Sequence, residues 1–358
     1  MKKRIALLAG AALAAAALTA CGGGAAKETT AADITAAATE AAKEETTDAQ
    51  AFETATVRVA YMPNMGSASL ATTAKEKGFF EEMGLEVEMV EFQGGPAEIA
   101  AMASGDIDIS QIGHGAHALC AEGEAVIFQI DCTSLADAVI CNKDKGVSSI
   151  EELKGKTVAV TSGTSAEIIL NLALEEAGLS QDDLELVEMD ANGIVSAMVS
   201  GNVDACATWS PGTGTIMDAL GDNGVMLADN SRYVHQVTFP SSFITTQKYA
   251  DENHDVLVRF TRALQNASDY RKNNIEEVAK LVAVQCEVDP ATMLACVGEG
   301  DWLDSEFVGK GLEDGTLKSY YENQQKVFID GGRLTEAVDV NNYVLFDIMK
   351  EAYEANHK

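Results

Sequence analysis

A pattern that occurs twice, at a spacing of about one hundred residues, limits the architecture of this chain more than any single propensity does. In the first copy Val57-Arg-Val-Ala-Tyr61 reads as a short buried strand that enters a small-residue loop, Asn64-Met-Gly-Ser-Ala-Ser69, and then a helix from about Leu70 to Met83 ending at Gly84. In the second, Thr157-Val-Ala-Val-Thr161 enters Ser162-Gly-Thr-Ser165, and a helix runs from Ala166 to Ala177 before Gly178. A strand follows each helix, over 85–92 and 184–189. Then Ala101-Met-Ala-Ser-Gly-Asp-Ile-Asp108 and Ala197-Met-Val-Ser-Gly-Asn-Val-Asp204 each end a helix at Gly and open a new strand.

Strand, helix, strand, helix, strand in each copy predicts an α/β fold of two Rossmann-like lobes, each an open, mostly parallel sheet covered by helices. In such sheets ligands sit beyond the carboxyl ends of the strands, so two facing lobes place a cleft between those loops. The loops concerned are 62–69, 93–97, 113–117, 162–166, 190–194 and 208–213. The segment Ile127 to Asp144 is expected to finish the first sheet and cross over, and Phe239 to Thr246 to lie near the return crossing. Helices over Val256 to Arg271, Ile275 to Val284 and Leu317 to Ile329 should wrap back on the first lobe. The expected division is 55–138 plus 247–358 for lobe I and 139–246 for lobe II. A chain of 358 residues has length enough for two such units.

The N-terminus carries a separate signal. Met1 to Arg4 is basic, Ile5 to Leu18 is an apolar run too short to cross a bilayer comfortably, and Leu18-Thr19-Ala20-Cys21 has small residues before a cysteine. This resembles a bacterial lipoprotein signal peptide over 1–20. It implies acylation of Cys21, palmitate among the chains, and a protein held outside the cell membrane by lipid alone. Residues 21–54, rich in Gly, Ala, Thr and Glu, read as a flexible tether. The 25 basic and 56 acidic residues give a formal charge of -31. That excess repels phosphate backbones and excludes nucleic acid as a natural partner. The cysteines other than Cys21 are scattered through apolar runs and read as buried free thiols, with no CxxC or Cys/His metal spacing.

Several stretches then carry a family resemblance: Lys77-Gly-Phe-Phe80, Gly84-Leu-Glu-Val-Glu88, Gly94-Gly-Pro96, Ser104-Gly-Asp-Ile-Asp108, Ser149-Ile-Glu-Glu-Leu-Lys-Gly-Lys-Thr-Val158, Gly163-Thr-Ser165, Glu176-Ala-Gly-Leu179 and Gly201-Asn-Val-Asp-Ala-Cys-Ala-Thr-Trp209. Over roughly residues 56–275 the chain resembles the nitrate, taurine and aliphatic-sulfonate class of ABC-transporter solute-binding proteins, which also contains binders of thiamine-precursor pyrimidines. The resemblance implies a type II periplasmic-binding fold that closes on its ligand about a hinge. Its implied partners are a small molecule and the permease and ATPase subunits of an importer. It implies a monomer with no catalysis and no cofactor.

The candidate ligand-binding residues sit in the loops named above. Thr164 and Ser165 open a helix, where free backbone N–H groups and the helix dipole suit an anionic or polar group; Thr164 and Glu167 also have capping-box spacing. Asn64 and Ser67 occupy the matching loop of the first copy. Gln93 and Gly94 let backbone approach the cleft, and Trp209 ends a strand at its edge. His114, in His114-Gly-Ala-His117, is expected as a hydrogen-bonding wall residue, not a metal ligand. Asp137 and Asp190 are placed to receive an amine or an amino-pyrimidine. None of the six loops contains Lys or Arg, which ranks a taurine-like zwitterion or sulfonate first, an amino-pyrimidine next and nitrate last. The rival class is an enzyme of the same fold, as in pyrimidine-forming thiamine-pathway synthases. Against it, the sequence offers no evident set of nucleophile, base and orienting group.

Overall fold

Eleven strands make two sheets in the computed structural model, which describes residues 52–358. The signal peptide over 1–20, the lipidation site Cys21 and most of the tether lie outside the described residues. In chain order the strands are β1 (Ala55–Tyr61), β2 (Leu85–Glu91), β3 (Ile109–Ile112), β4 (Val126–Ser134), β5 (Asp137–Asn142), β6 (Thr157–Val160), β7 (Glu185–Glu188), β8 (Ala205–Trp209), β9 (Gly224–Asp229), β10 (Pro240–Thr245) and β11 (Gly300–Trp302). The first sheet has the order β11-β4-β10-β3-β1-β2 and the second β7-β6-β8-β5-β9.

Apart from the added edge strand β11, the two orders are the same. Three parallel strands, β2-β1-β3 or β7-β6-β8, are followed by one antiparallel strand and a fifth. In each sheet the antiparallel strand is the one that has just arrived from the other lobe, β10 in the first and β5 in the second. Each crossing is therefore stitched into the interior of the sheet it enters.

This topology corrects two expected boundaries. β10 lies within the span assigned to lobe II, yet it pairs with β3 and β4, with Phe243 opposite both Gln111 and Gln129. Asp137 and Ala138, expected in lobe I, pair with Trp209 and Thr208 of the second sheet. Both strands are buried on both faces. A wholly buried run has no polar face to indicate which sheet it completes.

Three further differences have local causes. The first helix is two pieces, Met65–Glu76 and Phe79–Glu82, because Gly78 adopts φ +78° and stops the first. The tether ends earlier than residue 54: Phe52 packs under the Arg259 guanidinium at 5.2 Å, and Arg259 also donates to the Glu53 carbonyl. The helix Thr316–Asp330 does not return to the first lobe alone. Its start buries Leu317 and Tyr321 in a first-lobe core, and its end buries Val327 and Phe328 in the second-lobe core with Val139, Val158 and Leu170. Helical periodicity marks an apolar face but not the partner that covers it.

The long helix His254–Asn273 packs Phe260 against Phe80 and Phe128, closing the back of the first sheet. Cys120, Cys132, Cys141, Cys206, Cys286 and Cys296 carry buried, unpaired thiols.

Candidate ligand-binding cleft

Between the two sheets lies a cleft with about 680 Å³ of space, part of it continuous with open solvent. Asn64, Ser67, Gln111 and Trp302 line it from first-lobe elements, and Asp137, Thr164, Ser165 and Trp209 from second-lobe elements. The lobes also touch: a Cβ added at Gly115 would lie 2.1 Å from the Thr164 carbonyl carbon, so only glycine permits this approach.

The two helix entrances are built differently. At the first, Asn64 Oδ1 accepts from the Ser67 N–H at 2.8 Å and caps the helix; the Ser67 hydroxyl donates to the Gln111 carbonyl and accepts from the Met62 N–H. At the second, Thr164 provides no cap. Its hydroxyl donates to the Thr161 carbonyl, and Glu167 reaches past it to accept from the Gly163 N–H at 2.7 Å. The capping-box spacing is thus present without the capping box. Ser165 donates its hydroxyl to Asp137 Oδ1 inside the cleft.

Asp137 is almost wholly buried, and its second oxygen accepts from Asn230 Nδ2 at 3.1 Å. Burial pushes its carboxyl up to about 6, with the nearby Glu299 charge adding to the rise and the Ser165 and Asn230 hydrogen bonds opposing it. Glu299 precedes β11 and crosses to the other lobe, where its Oε1 accepts from the Ser210 hydroxyl at 2.6 Å. Burial raises its carboxyl as well. Among the described residues, no Lys or Arg lines the cleft. The charge that this lining can carry is therefore that of two titratable carboxyl groups, flanked by both tryptophans of the chain.

Of the residues expected at the site, Asn64, Ser67, Asp137, Thr164, Ser165 and Trp209 come together on this cleft. Gln93, Gly94, His114 and Asp190 are not among its lining residues. Gln93 bonds Glu91 at the surface, and Gly94 begins the helix Gly95–Ser104. Asp190 caps the helix Ala191–Ser200 by accepting from the Gly193 N–H at 2.7 Å. His114 is fully buried with its ring 4.8 Å from Phe239 and no hydrogen bond on either nitrogen, so it is not the hydrogen-bonding wall residue expected. Burial lowers its imidazole to about 3, keeping it neutral.

Sequence reasoning missed Gln111, Glu299 and Trp302. Gln111 is enclosed in the short strand β3, with no loop signal around it. Glu299 and Trp302 come from the C-terminal third, where the repeat has no counterpart. An aromatic beside Gly298-Glu-Gly-Asp301 was the one available sign.

Comparison with known proteins agrees with this architecture. A family model described as NMT1/THI5 like matches residues 68–278. A putative binding protein of Brucella abortus (strain 2308) is 34% identical over 291 residues, 81% of this chain and 90% of its own. A putative aliphatic sulfonates-binding protein of Bacillus subtilis (strain 168) is 26% identical over 296 residues, 80% of this chain and 86% of its own. Among solved structures, the alkanesulfonate-binding protein SsuA from Xanthomonas axonopodis pv. citri bound to MOPS superposes with a TM-score of 0.66 at 21% identity, over 82% of this chain and 99% of that one. The desulfurization enzyme DSZB also shares the fold, with a TM-score of 0.60 at 16% identity, over 85% of this chain and 99% of that one.

Proposed function

The chain belongs to the NMT1/THI5-like family, and from that premise we propose that it is the extracytoplasmic solute-binding component of an ABC importer. In this reading it holds one small polar solute between its lobes and carries out no catalysis. It acts as a monomer that delivers the solute to permease and ATPase subunits. Cys21 carries the lipid that anchors it, and replacing Cys21 with Ala should release it from the membrane fraction.

The single observation that carries the cargo assignment is the pair of carboxylates, Asp137 and Glu299, in a cleft that no Lys or Arg among the described residues lines. A bare sulfonate or nitrate would meet uncompensated negative charge there. An aminosulfonate such as taurine brings an ammonium group to neutralise it, and remains within the chemistry that the sulfonate-binding relatives' names describe. The uncapped N-terminus of the helix Ser165–Glu176 offers backbone N–H groups to the sulfonate end.

A second reading is favoured by the two indoles. Trp209 and Trp302 suit a planar ring, and an amino-pyrimidine would present N–H donors to the same carboxylates.

Thermal unfolding of residues 22–358 with taurine, ethanesulfonate, a 4-aminopyrimidine and nitrate tests both. A ligand at about 100 times its Kd adds about 2.7 kcal/mol of stability. Stabilisation by taurine but not ethanesulfonate supports the first reading, and stabilisation by the aminopyrimidine alone the second. Stabilisation by ethanesulfonate and nitrate as strong as by taurine would overturn the charge argument.

A further inference from the structure

Beneath the cleft lies a buried ion pair that is not part of its lining. Arg271, on the helix His254–Asn273, and Asp131, on β4, both have side-chain exposures of 0%. Arg271 Nη1 donates to Asp131 Oδ1 at 2.6 Å and to Ser69 Oγ at 2.7 Å, while Nη2 donates to the Asp131 carbonyl at 3.0 Å. The guanidinium carbon sits 5.0 Å from the centre of the Trp302 ring.

The pair reaches the cleft by two routes. Trp302 is one: its indole N–H donates to the Val297 carbonyl at 2.8 Å, which anchors the ring's edge, while β11, a three-residue edge strand bonded only to β4, leaves the ring's face to the guanidinium. The other runs through Asp131 Oδ2, which accepts from Gln111 Nε2 at 2.8 Å; the Gln111 carbonyl in turn accepts the Ser67 hydroxyl at 3.2 Å. Trp302, Gln111 and Ser67 line the cleft from three separate elements, and one guanidinium lies behind all of them. Lysine cannot substitute for it. A point charge with no planar face cannot grip Oδ1 and the backbone carbonyl of Asp131 and stack on an indole at once.

We propose that Arg271 is a positioning residue of the binding cleft: held by Asp131, it sets the plane of the Trp302 indole and, through Asp131 and Gln111, the seat of Ser67, so that the cleft is formed before its ligand arrives. This rests on the reading of the cleft as the solute site, but the test below has an arm that needs no solute. The chain has two tryptophans, so Trp209→Phe leaves Trp302 as the only indole, and Trp302→Phe leaves Trp209.

In the Trp209→Phe protein, Arg271→Lys should at least double the acrylamide quenching of Trp302, roughly, because the ring loses its stacking partner. In the Trp302→Phe protein the same substitution should leave Trp209 quenching unchanged. Unchanged Trp302 quenching, or an equal rise at both indoles, overturns the proposal, since general loosening would move both. If Arg271→Lys fails to fold, the pair Asp131→Asn with Arg271→Met removes both charges together, which a core tolerates better than one charge left alone, and serves the same measurement.

With both tryptophans present, Arg271→Lys should weaken taurine binding by roughly tenfold in calorimetry. Unchanged affinity counts against the proposal. Taurine failing to bind the unmutated protein counts against the cargo assignment, leaving the quenching result to decide the role of Arg271.

Discussion

The two lobes share one chassis but fill it with different chemistry. Met102 aligns with Met198 and Gly105 with Gly201, which sets Glu98 opposite Ile194 and Ser110 opposite Cys206. The strand registers agree: Ala60 pairs with Ser110 in the first sheet, and Ala159 with Cys206 in the second. In the second lobe the position is an apolar contact. In the first it is a fully buried carboxylic acid, whose Oε2 accepts the Ser110 hydroxyl while Oε1 has no partner. Burial pushes the Glu98 carboxyl up to about 8. One backbone thus tolerates either an apolar or a neutral polar pair at this place, provided the acid keeps its proton.

The largest effect comes from exchanging that pair. A carboxyl raised from 4.5 to about 8 on folding stabilises the folded state fully below pH 4.5, and that contribution is lost as pH rises toward 8. The loss is about 5 kcal/mol from this group alone. Glu98→Ile with Ser110→Cys imports the second lobe's pair. The difference between the two proteins' urea-unfolding profiles across pH 5 to 8 should show that slope disappear; parallel profiles would mean that Glu98 ionises normally.

Next in size is the contact where the lobes meet. Gly115→Ala places a methyl 2.1 Å from the Thr164 carbonyl carbon, and backbone cannot yield there without parting the lobes. Solute affinity should fall about a hundredfold, close to 2.7 kcal/mol, with a larger radius of gyration in small-angle scattering. Retained affinity would show that closure does not need this approach.

The third test separates Asp137 from the rest of the cleft. Its carboxyl, raised from 3.8 to about 6, must ionise to receive a cationic nitrogen. Affinity for taurine should therefore weaken by up to about tenfold per pH unit as pH falls below 6, and calorimetry on Asp137→Asn should show weak binding without that slope. The smallest effect compares the helix entrances. Asn64→Ala removes a real cap and should cost about 1 kcal/mol, whereas Thr164→Ala removes no cap and should cost well under that in the same unfolding assay.

Much of the fold was legible because the repeat is written in local patterns. Alternation of short apolar runs, small-residue loops and glycine stops gave the βαβαβ order of both lobes and located the loops at the carboxyl ends of the strands. It brought Asn64, Ser67, Asp137, Thr164, Ser165 and Trp209 within reach, since their place is fixed by strand ends a few residues away. It failed for β10, which is buried on both faces and could have completed either sheet, and for the helix Thr316–Asp330, whose two ends serve different cores. It also overread His114 and Asp190. A polar side chain in the right loop still has a direction to choose, and theirs are taken by core packing against Phe239 and by a helix cap.

The sequence by itself determined the two-lobe plan, the crossing segments and the lack of Lys and Arg in the loops that face one another, because these depend on residue order over short distances. Tertiary structure alone decided that Glu299 and Trp302, more than 160 residues along the chain from Asp137, share its cleft, and that Arg271 and Asp131 meet beneath them. Contacts of that separation depend on how helices and sheet edges close on each other, and no local pattern records which distant side chain fills the space left between two lobes.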